Sequence, residues 1–344
     1  MSRTGTGRHY LVTGGAGYIG SHVARHLATI GHEVTVLDNL EHGSRAAIPG
    51  CRLVRADVRD ERHLARLLGE QPVDGIVHLA ARKSVEESIV DPAAYFDTNV
   101  VGTLVLARTA AAKGVPWIVF SSTAAVYGQP GSLPVTEDAP LRPENPYGES
   151  KLMAERVLDW LGRSHPIRTI SLRYFNAAGA SDDGAFGEDP MDARNLLPLV
   201  VRAALGQSGP VQVFGTDYAT PDGTAIRDYI HIGDLADAHI RAIDHLERGG
   251  ASATLNVGTG RGVSVREVLD AVAAIAGHPV PADFVGRRPG DPAAVWADAS
   301  RAREVLGWTA RRDLDSIVTS AWRWHERHPR GYGRGSRPAP DQGR

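Results

Sequence analysis

Through the first half of the chain, short apolar runs alternate with stretches whose apolar residues recur every three to four positions, the pattern of strands separated by amphipathic helices. The runs predict strands at His9–Thr13, Glu33–Asp38, Cys51–Val54, Gly75–Leu79, Trp117–Ser121 and Thr169–Leu172. The periodic stretches predict helices at Tyr18–Ile30, Glu61–Leu68, Pro92–Lys113 and Tyr147–Leu161. Strict alternation implies βαβ units, since parallel neighbours need a long crossover. The expected class is therefore α/β, a doubly wound parallel sheet with helices on both faces.

After Tyr174 the regularity breaks down into Gly/Asp/Pro-rich loops at Ala177–Pro190 and Gly215–Gly223, which predicts a smaller, loop-rich α/β lobe. Amphipathic helices are expected there at Leu235–Leu246, Val265–Ala276, Ser300–Leu306 and Leu314–Trp324. The division expected is a first lobe over 1–175, rejoined by 229–257, a second over 176–328, and a disordered tail over 329–344, which has almost nothing to bury. No internal repeat of solenoid period is apparent.

Composition narrows the function. At 344 residues the chain exceeds the roughly 250–300 at which single cores stop growing, so two lobes can share a cleft. With 38 basic and 40 acidic residues the formal charge is −2, which gives no whole-molecule attraction to nucleic acid or anionic lipid. Any anion must be held locally. Four arginines in the tail could suggest RNA, but a solvated tail is the simpler reading. The single cysteine, Cys51, excludes an intrachain disulfide and suits a reducing compartment. The polar segment Met1 to His9 lacks the apolar core of a secretory signal, and no run approaches the roughly 20 apolar residues of a membrane span. A soluble, cytoplasmic protein is expected.

The segment Tyr10-Leu-Val-Thr-Gly14-Gly-Ala-Gly17-Tyr18-Ile19-Gly20 sets glycines between a predicted strand and helix, where side chains would keep backbone away from a pyrophosphate. Glycines also make ordinary tight turns, and the triplet by itself is weak. Asp38 closes the next strand eighteen residues after Gly20, near the roughly 20-residue spacing of the acid that binds the adenosine ribose. A carboxylate there accepts from ribose hydroxyls and repels a 2′-phosphate, which favours NAD over NADP. Arg45 could counter that charge, but a solvated loop arginine is simpler. Asp57 and Val58, after the third strand, would lie near the adenine or else form a plain polar strand exit.

Tyr147-Gly-Glu-Ser-Lys151 places a phenol and an ammonium four residues apart, on one face of a helix. A phenol of pKa about 10 is a poor base near neutrality, and a neighbouring ammonium favours its phenolate form. Such spacings are common by chance on helix surfaces. Upstream, Phe120-Ser121-Ser122-Thr123 closes a predicted strand and puts hydroxyls at the carboxyl edge of the sheet, where ligands bind. Thr123 could hold a reacting oxygen against Tyr147, with Ser121 beneath a nicotinamide; strand-end packing is the alternative. His22 and His26 are spaced to suit zinc, but with no third ligand in sight no metal is expected.

Glycine loop, Asp38, hydroxyl-bearing strand end and Tyr147/Lys151, in this order, resemble the extended short-chain dehydrogenase/reductase superfamily, whose first domain is a Rossmann fold. Further motifs narrow the resemblance to its UDP-glucose 4-epimerases. These are Leu79-Ala80-Ala81-Arg-Lys83, Asn145-Pro-Tyr147-Gly-Glu-Ser-Lys151, Arg173-Tyr174-Phe-Asn176, Asn195-Leu196-Leu-Pro, Asp217-Tyr-Ala-Thr-Pro-Asp-Gly-Thr-Ala-Ile-Arg227-Asp-Tyr229-Ile-His231 and Arg287-Arg288-Pro-Gly-Asp291. The similarity runs from about Tyr10 to Pro329.

The resemblance implies an NAD-dependent isomerase acting at C4 of a UDP-sugar, with Thr123, Tyr147 and Lys151 catalytic. It implies NAD contacts along Gly14 to Gly20, at Asp38, Asn39, Asp57, Val58 and Leu79 to Ala81, and at Lys83, Asn99, Ser121 and Tyr174. Lys83, Asn176, Asn195 and Leu196 would meet the sugar nucleotide, with Tyr229 and Val295 also in its pocket. Arg227 and Arg288 would clamp the diphosphate. Asp291 would accept the uridine ribose hydroxyls, or pair with Arg288. A homodimer is implied, built on Pro92–Lys113 and Tyr147–Leu161 in a four-helix bundle.

Two positions depart from the commonest pattern. Thr123 stands where many members have serine, and keeps the hydroxyl. Val295 stands where members restricted to UDP-glucose and UDP-galactose often have tyrosine, so the pocket could admit N-acetylated hexosamines; plain packing is the alternative. A related sugar-nucleotide dehydratase would need an acid pair after Thr123, where this chain has Ala124 and Ala125. A silent NAD-binding sensor on the same scaffold is the reading from a different class, and the intact Thr123/Tyr147/Lys151 set argues against it.

Overall fold

The computed structural model describes residues 7–333 apart from 192 and 289. Its core is a seven-stranded sheet whose strands are all parallel. In chain order these are β1 (His9–Thr13), β2 (Glu33–Asp38), β3 (Arg52–Arg55), β4 (Gly75–His78), β5 (Trp117–Thr123), β6 (Arg168–Tyr174) and β7 (Ala253–Val257). The spatial order is β7-β6-β5-β4-β1-β2-β3, so the order in which strands are added reverses between β1 and β4. This is the Rossmann arrangement.

The six expected strands are present with small shifts at their ends. β7 was missed as a strand; it pairs with β6, Leu255 opposite Leu172. The sheet is flanked by α1 (Tyr18–Thr29), α2 (Glu61–Glu70), α3 (Gly102–Ala112), α4 (Pro146–Ser164) and α5 (Ile232–Glu247). Side-chain alternation along each strand separates two cores. Tyr10 and Val12 of β1 face Val23 and Leu27 of α1 and Leu235 and Ile243 of α5. Leu11 faces the other way, into Leu64 and Leu68 of α2, Leu106 of α3 and Leu158 of α4.

The expected helix over Pro92–Lys113 is interrupted. Its turns at Pro92–Tyr95 and Gly102–Ala112 are separated by a π-helical segment, Phe96–Val101. The wide turn accommodates Asn99, whose buried side chain makes two hydrogen bonds to the Arg82 backbone, accepting from its N–H at 2.8 Å and donating to its carbonyl at 3.0 Å.

Beyond β6 a third core gathers Leu197 and Val200 of helix Leu196–Ala204, Val268 and Val272 of helix Val265–Ala276, and Ile317 and Val318 of helix Leu314–Arg327. Short strands tie it together. Asn176–Ala178 runs beside Tyr229–His231, Val211–Phe214 beside Ala282–Val285, and Ile226–Arg227 between Val263–Ser264 and Ala294–Val295. Asp228, fully buried, accepts from the Thr259 and Gly260 N–H groups at 2.9 and 3.1 Å and from that of Ala297 at 3.2 Å, locking three loops behind Arg227 and Tyr229.

Residues 329–333, expected to belong to a disordered tail, include a packed side chain. The Tyr332 ring lies 5.0 Å from that of Trp324, and its hydroxyl donates to the Gly187 carbonyl at 3.1 Å. Residues 334–344 lie outside those described. Among the described residues no helix is long and apolar enough to cross a membrane.

Candidate active site

The parallel sheet delivers the carboxyl ends of β1, β4, β5 and β6 to one edge, where the residues singled out by sequence converge. After β1 the chain turns at Gly14, whose φ of 68° is in the left-handed region. A β-carbon there would lie 2.5 Å from the Ala80 nitrogen, and one on Gly20 would lie 2.2 Å from the Gly14 carbonyl oxygen. Both glycines are thus demanded by close backbone approach. Helix α1 then starts at Tyr18 with Gly17 as its N-cap, with no capping side chain and no acid in its first turn. Its first N–H groups are left for another acceptor, whereas α2 and α4 are capped by Asp60 and Asn145.

Asp38 is buried at the end of β2 and binds the glycine loop from below, accepting from Ala16 N–H at 3.0 Å and from Leu40 N–H at 2.8 Å. Burial raises its pKa and these backbone bonds oppose the rise. Arg45 donates to the Ile48 carbonyl at 2.7 Å. An uncapped helix start behind two crowded glycines, with a carboxylate at the next strand end, fits a dinucleotide with a free adenosine ribose. Asn39 bonds locally to Glu41, and Asp57 is engaged by Arg59 at 2.8 Å, which holds its carboxyl below the usual range. The Val58 side chain is buried in the core, so only its backbone could face an adenine. Leu79 and Ala80 are held to Thr13, by its carbonyl at 2.9 Å and its hydroxyl at 3.4 Å.

At the end of β5, Thr123 sits close enough to the Tyr147 phenol for its hydroxyl to favour the phenolate, and both are buried. Tyr147 lies in the first turn of α4, set by Pro146 and by the Asn145 cap, which accepts from Gly148 N–H at 2.9 Å. The phenol is also packed edge-on against Tyr95, ring centres 6.4 Å apart. One turn on, Lys151 is buried against the same strand, and its Nζ donates to the Ser121 carbonyl at 2.8 Å.

One expectation changes here. Burial is the main influence on Tyr147 and raises its pKa, with the Thr123 bond acting against it. The same burial pushes the Lys151 amine down to about 7, opposed by the Glu155 carboxylate. In the protein alone the lysine therefore does not outweigh burial at the phenol.

Several partners went unnoticed in the sequence. The Ser121 hydroxyl lies 2.9 Å from His239 Nε2, while His239 Nδ1 lies 2.9 Å from the Leu235 carbonyl. Since a carbonyl only accepts, Nδ1 carries the proton and Ser121 donates to Nε2. Tyr174, at the end of β6, is buried near Ser121; burial raises its pKa and the serine hydroxyl opposes the rise. Glu155, one turn beyond Lys151, holds Arg173 at 2.9 and 2.6 Å. Its i, i+4 spacing from Lys151 was a usable signal; His239 showed only as a histidine on the buried face of a helix. Asn99 is brought to the site's margin rather than its centre, its amide committed to Arg82 and to Ser150 at 2.9 Å.

The second lobe supplies the opposite wall. Arg227 pairs with Asp291, which settles the Asp291 alternative against Arg288. Arg288 instead reaches Glu86 at 3.2 Å, with its guanidinium 3.8 Å above the Phe214 ring. Tyr229 is buried, and that burial pushes its phenol up to about 12. Val295 lies opposite Arg227 in the strand register and is buried with Val126, three residues after Thr123, and Leu152, the neighbour of Lys151. Asn176 is exposed at the start of its strand. Asn195, the N-cap of helix Leu196–Ala204, and Lys83 both bind Glu188; Leu196 is part-buried on the third core.

Residues 10–258 match the NAD dependent epimerase/dehydratase family. The chain belongs to that family. Among relatives of this epimerase/dehydratase chain, the UDP-glucose 4-epimerase of Halalkalibacterium halodurans is 44% identical over 94% of this chain and 97% of its own. The crystal structure of the Bifidobacterium longum UDP-glucose 4-epimerase in complex with NAD+ and UDP is 42% identical, covers 94% of this chain and 99% of its own, and superimposes with a TM-score of 0.90. The UDP-Glc/GlcNAc 4-epimerase of Campylobacter jejuni is 39% identical over 93% of this chain and all (100%) of its own, with a TM-score of 0.82.

The depressed Lys151 pKa has a measurable sign. A lysine that titrates near 7 when folded and near 10.5 when unfolded leaves the unfolded chain holding more protons between those values, so stability rises with pH across that window. Denaturant titrations of the NAD-free protein at pH 6.5 and 9.5 should show this rise, and Lys151→Met should abolish that part of it. An equal pH response in both proteins would show that the amine is not held in its neutral-favouring environment.

Proposed function

We propose that the protein is an NAD-dependent UDP-glucose 4-epimerase, interconverting UDP-glucose and UDP-galactose. The observation that carries this reading is the buried Thr123–Tyr147 pair beside Lys151, at the strand edge that also bears the glycine loop and Asp38. The sheet lobe, including the returning α5 and β7, holds NAD, and the loop-rich lobe holds the nucleotide sugar. Asp38 takes the adenosine ribose, and the uncapped start of α1 takes the pyrophosphate.

NAD supplies what no side chain can, accepting hydride from C4 of the sugar and returning it to the opposite face of the 4-keto form. The chain's own residues do the rest. Tyr147 takes the C4 hydroxyl proton and gives it back, in the role of a general base and then acid. Thr123 holds the phenol oxygen in line, and Lys151 keeps positive charge near it. Arg227 and Arg288 grip the diphosphate, and Asp291 is freed to meet the uridine ribose. Firm attachment at the diphosphate with few charged groups around the ring lets the 4-keto sugar turn over without leaving. No step calls for a metal. The single buried cysteine and the absence of a long apolar helix among the described residues suit a cytoplasmic enzyme.

Tyr147→Phe should lower turnover of UDP-galactose by about 10²–10⁴-fold with NAD still bound, read by coupled assay and by cofactor content. Retained turnover would remove Tyr147 from the chemistry, and a wild-type protein inactive on UDP-glucose and UDP-galactose would favour the silent sensor.

Val295 in place of a bulkier residue supports a wider sugar range, as the Campylobacter relative's dual name suggests for that protein. Incubation with UDP-GlcNAc is expected to yield UDP-GalNAc; no conversion by an enzyme active on UDP-glucose would leave Val295 as packing alone.

The enzyme also pairs with a second copy through helices α3 and α4. Val101, Leu104, Met153 and Trp160 stand exposed on this helical face, Trp160 by 67%. Such an apolar patch is unusual on a monomer. Sedimentation should give a dimer for the wild type and a monomer for Trp160→Arg with Leu104→Arg; a monomeric wild type would refute the pairing.

A further inference from the structure

Glu188 lies in the loop before helix Leu196–Ala204, a stretch without periodic pattern, and only 5% of its surface is exposed. Its backbone is clamped. The Glu188 carbonyl accepts from Trp324 Nε1 at 2.8 Å, and a β-carbon on the preceding Gly187 would lie 2.5 Å from the Trp324 ring. The Tyr332 hydroxyl donates to the Gly187 carbonyl at 3.1 Å. A carboxylate so fixed cannot follow its partners; they must come to it.

Two partners do, from segments far apart in the chain. Lys83, on the loop after β4, places Nζ 3.0 Å from Glu188 Oε1. Asn195 places Nδ2 2.9 Å from each carboxylate oxygen. Both partners are themselves exposed. Asn195 sits at the N-cap of its helix, where an asparagine ordinarily turns its oxygen onto the first N–H groups, yet its side chain makes no such bond. The ionised carboxylate accepts only, so it captures the amide's donor end and dictates which way the amide faces.

We infer that Glu188 is a positioning residue for sugar recognition. It commits the Asn195 Nδ2 group, so that Oδ1 is presented as an acceptor beside the remaining donors of Lys83. A sugar hydroxyl meeting this wall donates to Asn195 and accepts from Lys83, an ordered pair that reads hydroxyl orientation. Glu188 itself does not touch the substrate. The inference rests on the proposed UDP-sugar function and adds to it the group that sets the polarity of one wall.

Calorimetric titration of the NAD-bound protein with UDP and with UDP-glucose separates the two. Glu188→Gln carries both a donor and an acceptor, so the Asn195 amide is free to turn. UDP should bind as to wild type, and UDP-glucose about tenfold more weakly, the worth of one hydrogen bond to a charged group. The double variant E188Q/N195D places a donor on the buried side and leaves a carboxylate oxygen facing the sugar, and should recover most of the lost affinity. A merely structural glutamate would not be rescued in this way. N195D alone sets two carboxylates against each other and reads the contact from the other partner, with the same sugar-selective loss expected even if E188Q fails to fold. Unchanged UDP-glucose affinity in either single variant, or a double variant no better than E188Q, would overturn the inference. A wild-type protein that binds neither UDP nor UDP-glucose would overturn the function beneath it instead.

Discussion

Everything at the active edge depends on the parallel register of β1, β4, β5 and β6. Because these strands run the same way, their carboxyl ends emerge side by side, and the loops that follow them must share one crevice. The reversal of strand order between β1 and β4 opens that crevice, and there the Gly14 backbone touches Ala80 so closely that no side chain fits between. Thr123 ends β5 and Tyr174 ends β6, opposite each other in the register.

Burying the chemistry in this edge has a cost that the structure offsets locally. Lys151 is taken almost wholly out of water, which weakens its hold on a proton, and the Ser121 carbonyl and the Glu155 carboxylate work the other way. Glu155 is in turn neutralised by a two-point bond to Arg173, and Arg173 also donates to Tyr127 at 3.0 Å. Breaking a buried pair of this kind by removing one partner typically costs about 3–5 kcal/mol, so the network constrains the site while doing no chemistry itself. His239 plays the equivalent part for Ser121, and Glu188 for Lys83 and Asn195.

The strands and helices of the sheet lobe were legible because their periods are unambiguous and each packs against the sheet next to it in the chain. The π-helical turn at Phe96–Val101 was not, since what bends the helix is Asn99 reaching the backbone of Arg82, a contact with no local trace. β7 was overlooked as a strand for a related reason. Its identity comes from pairing with β6 across some eighty residues of intervening chain, while its own five residues, Ala-Thr-Leu-Asn-Val, carry only a weak pattern.

For the site, spacing along one element sufficed for Tyr147 and Lys151, and the glycine loop and Asp38 were marked by backbone demands that the sequence must meet residue by residue. The family-level motifs around Asp217–His231 singled out Arg227 and Tyr229 for the sugar-nucleotide pocket. Which charge meets which was decided only in three dimensions. Arg227 with Asp291, Lys83 with Asn195 through Glu188, and Ser121 with His239 each join segments far apart in the chain. By itself the sequence determined most of the elements, the glycine loop and the Tyr147/Lys151 spacing, because those follow from near-neighbour geometry. Tertiary structure decided the orientation and protonation of the groups around them, because burial and hydrogen bonding between distant segments set both.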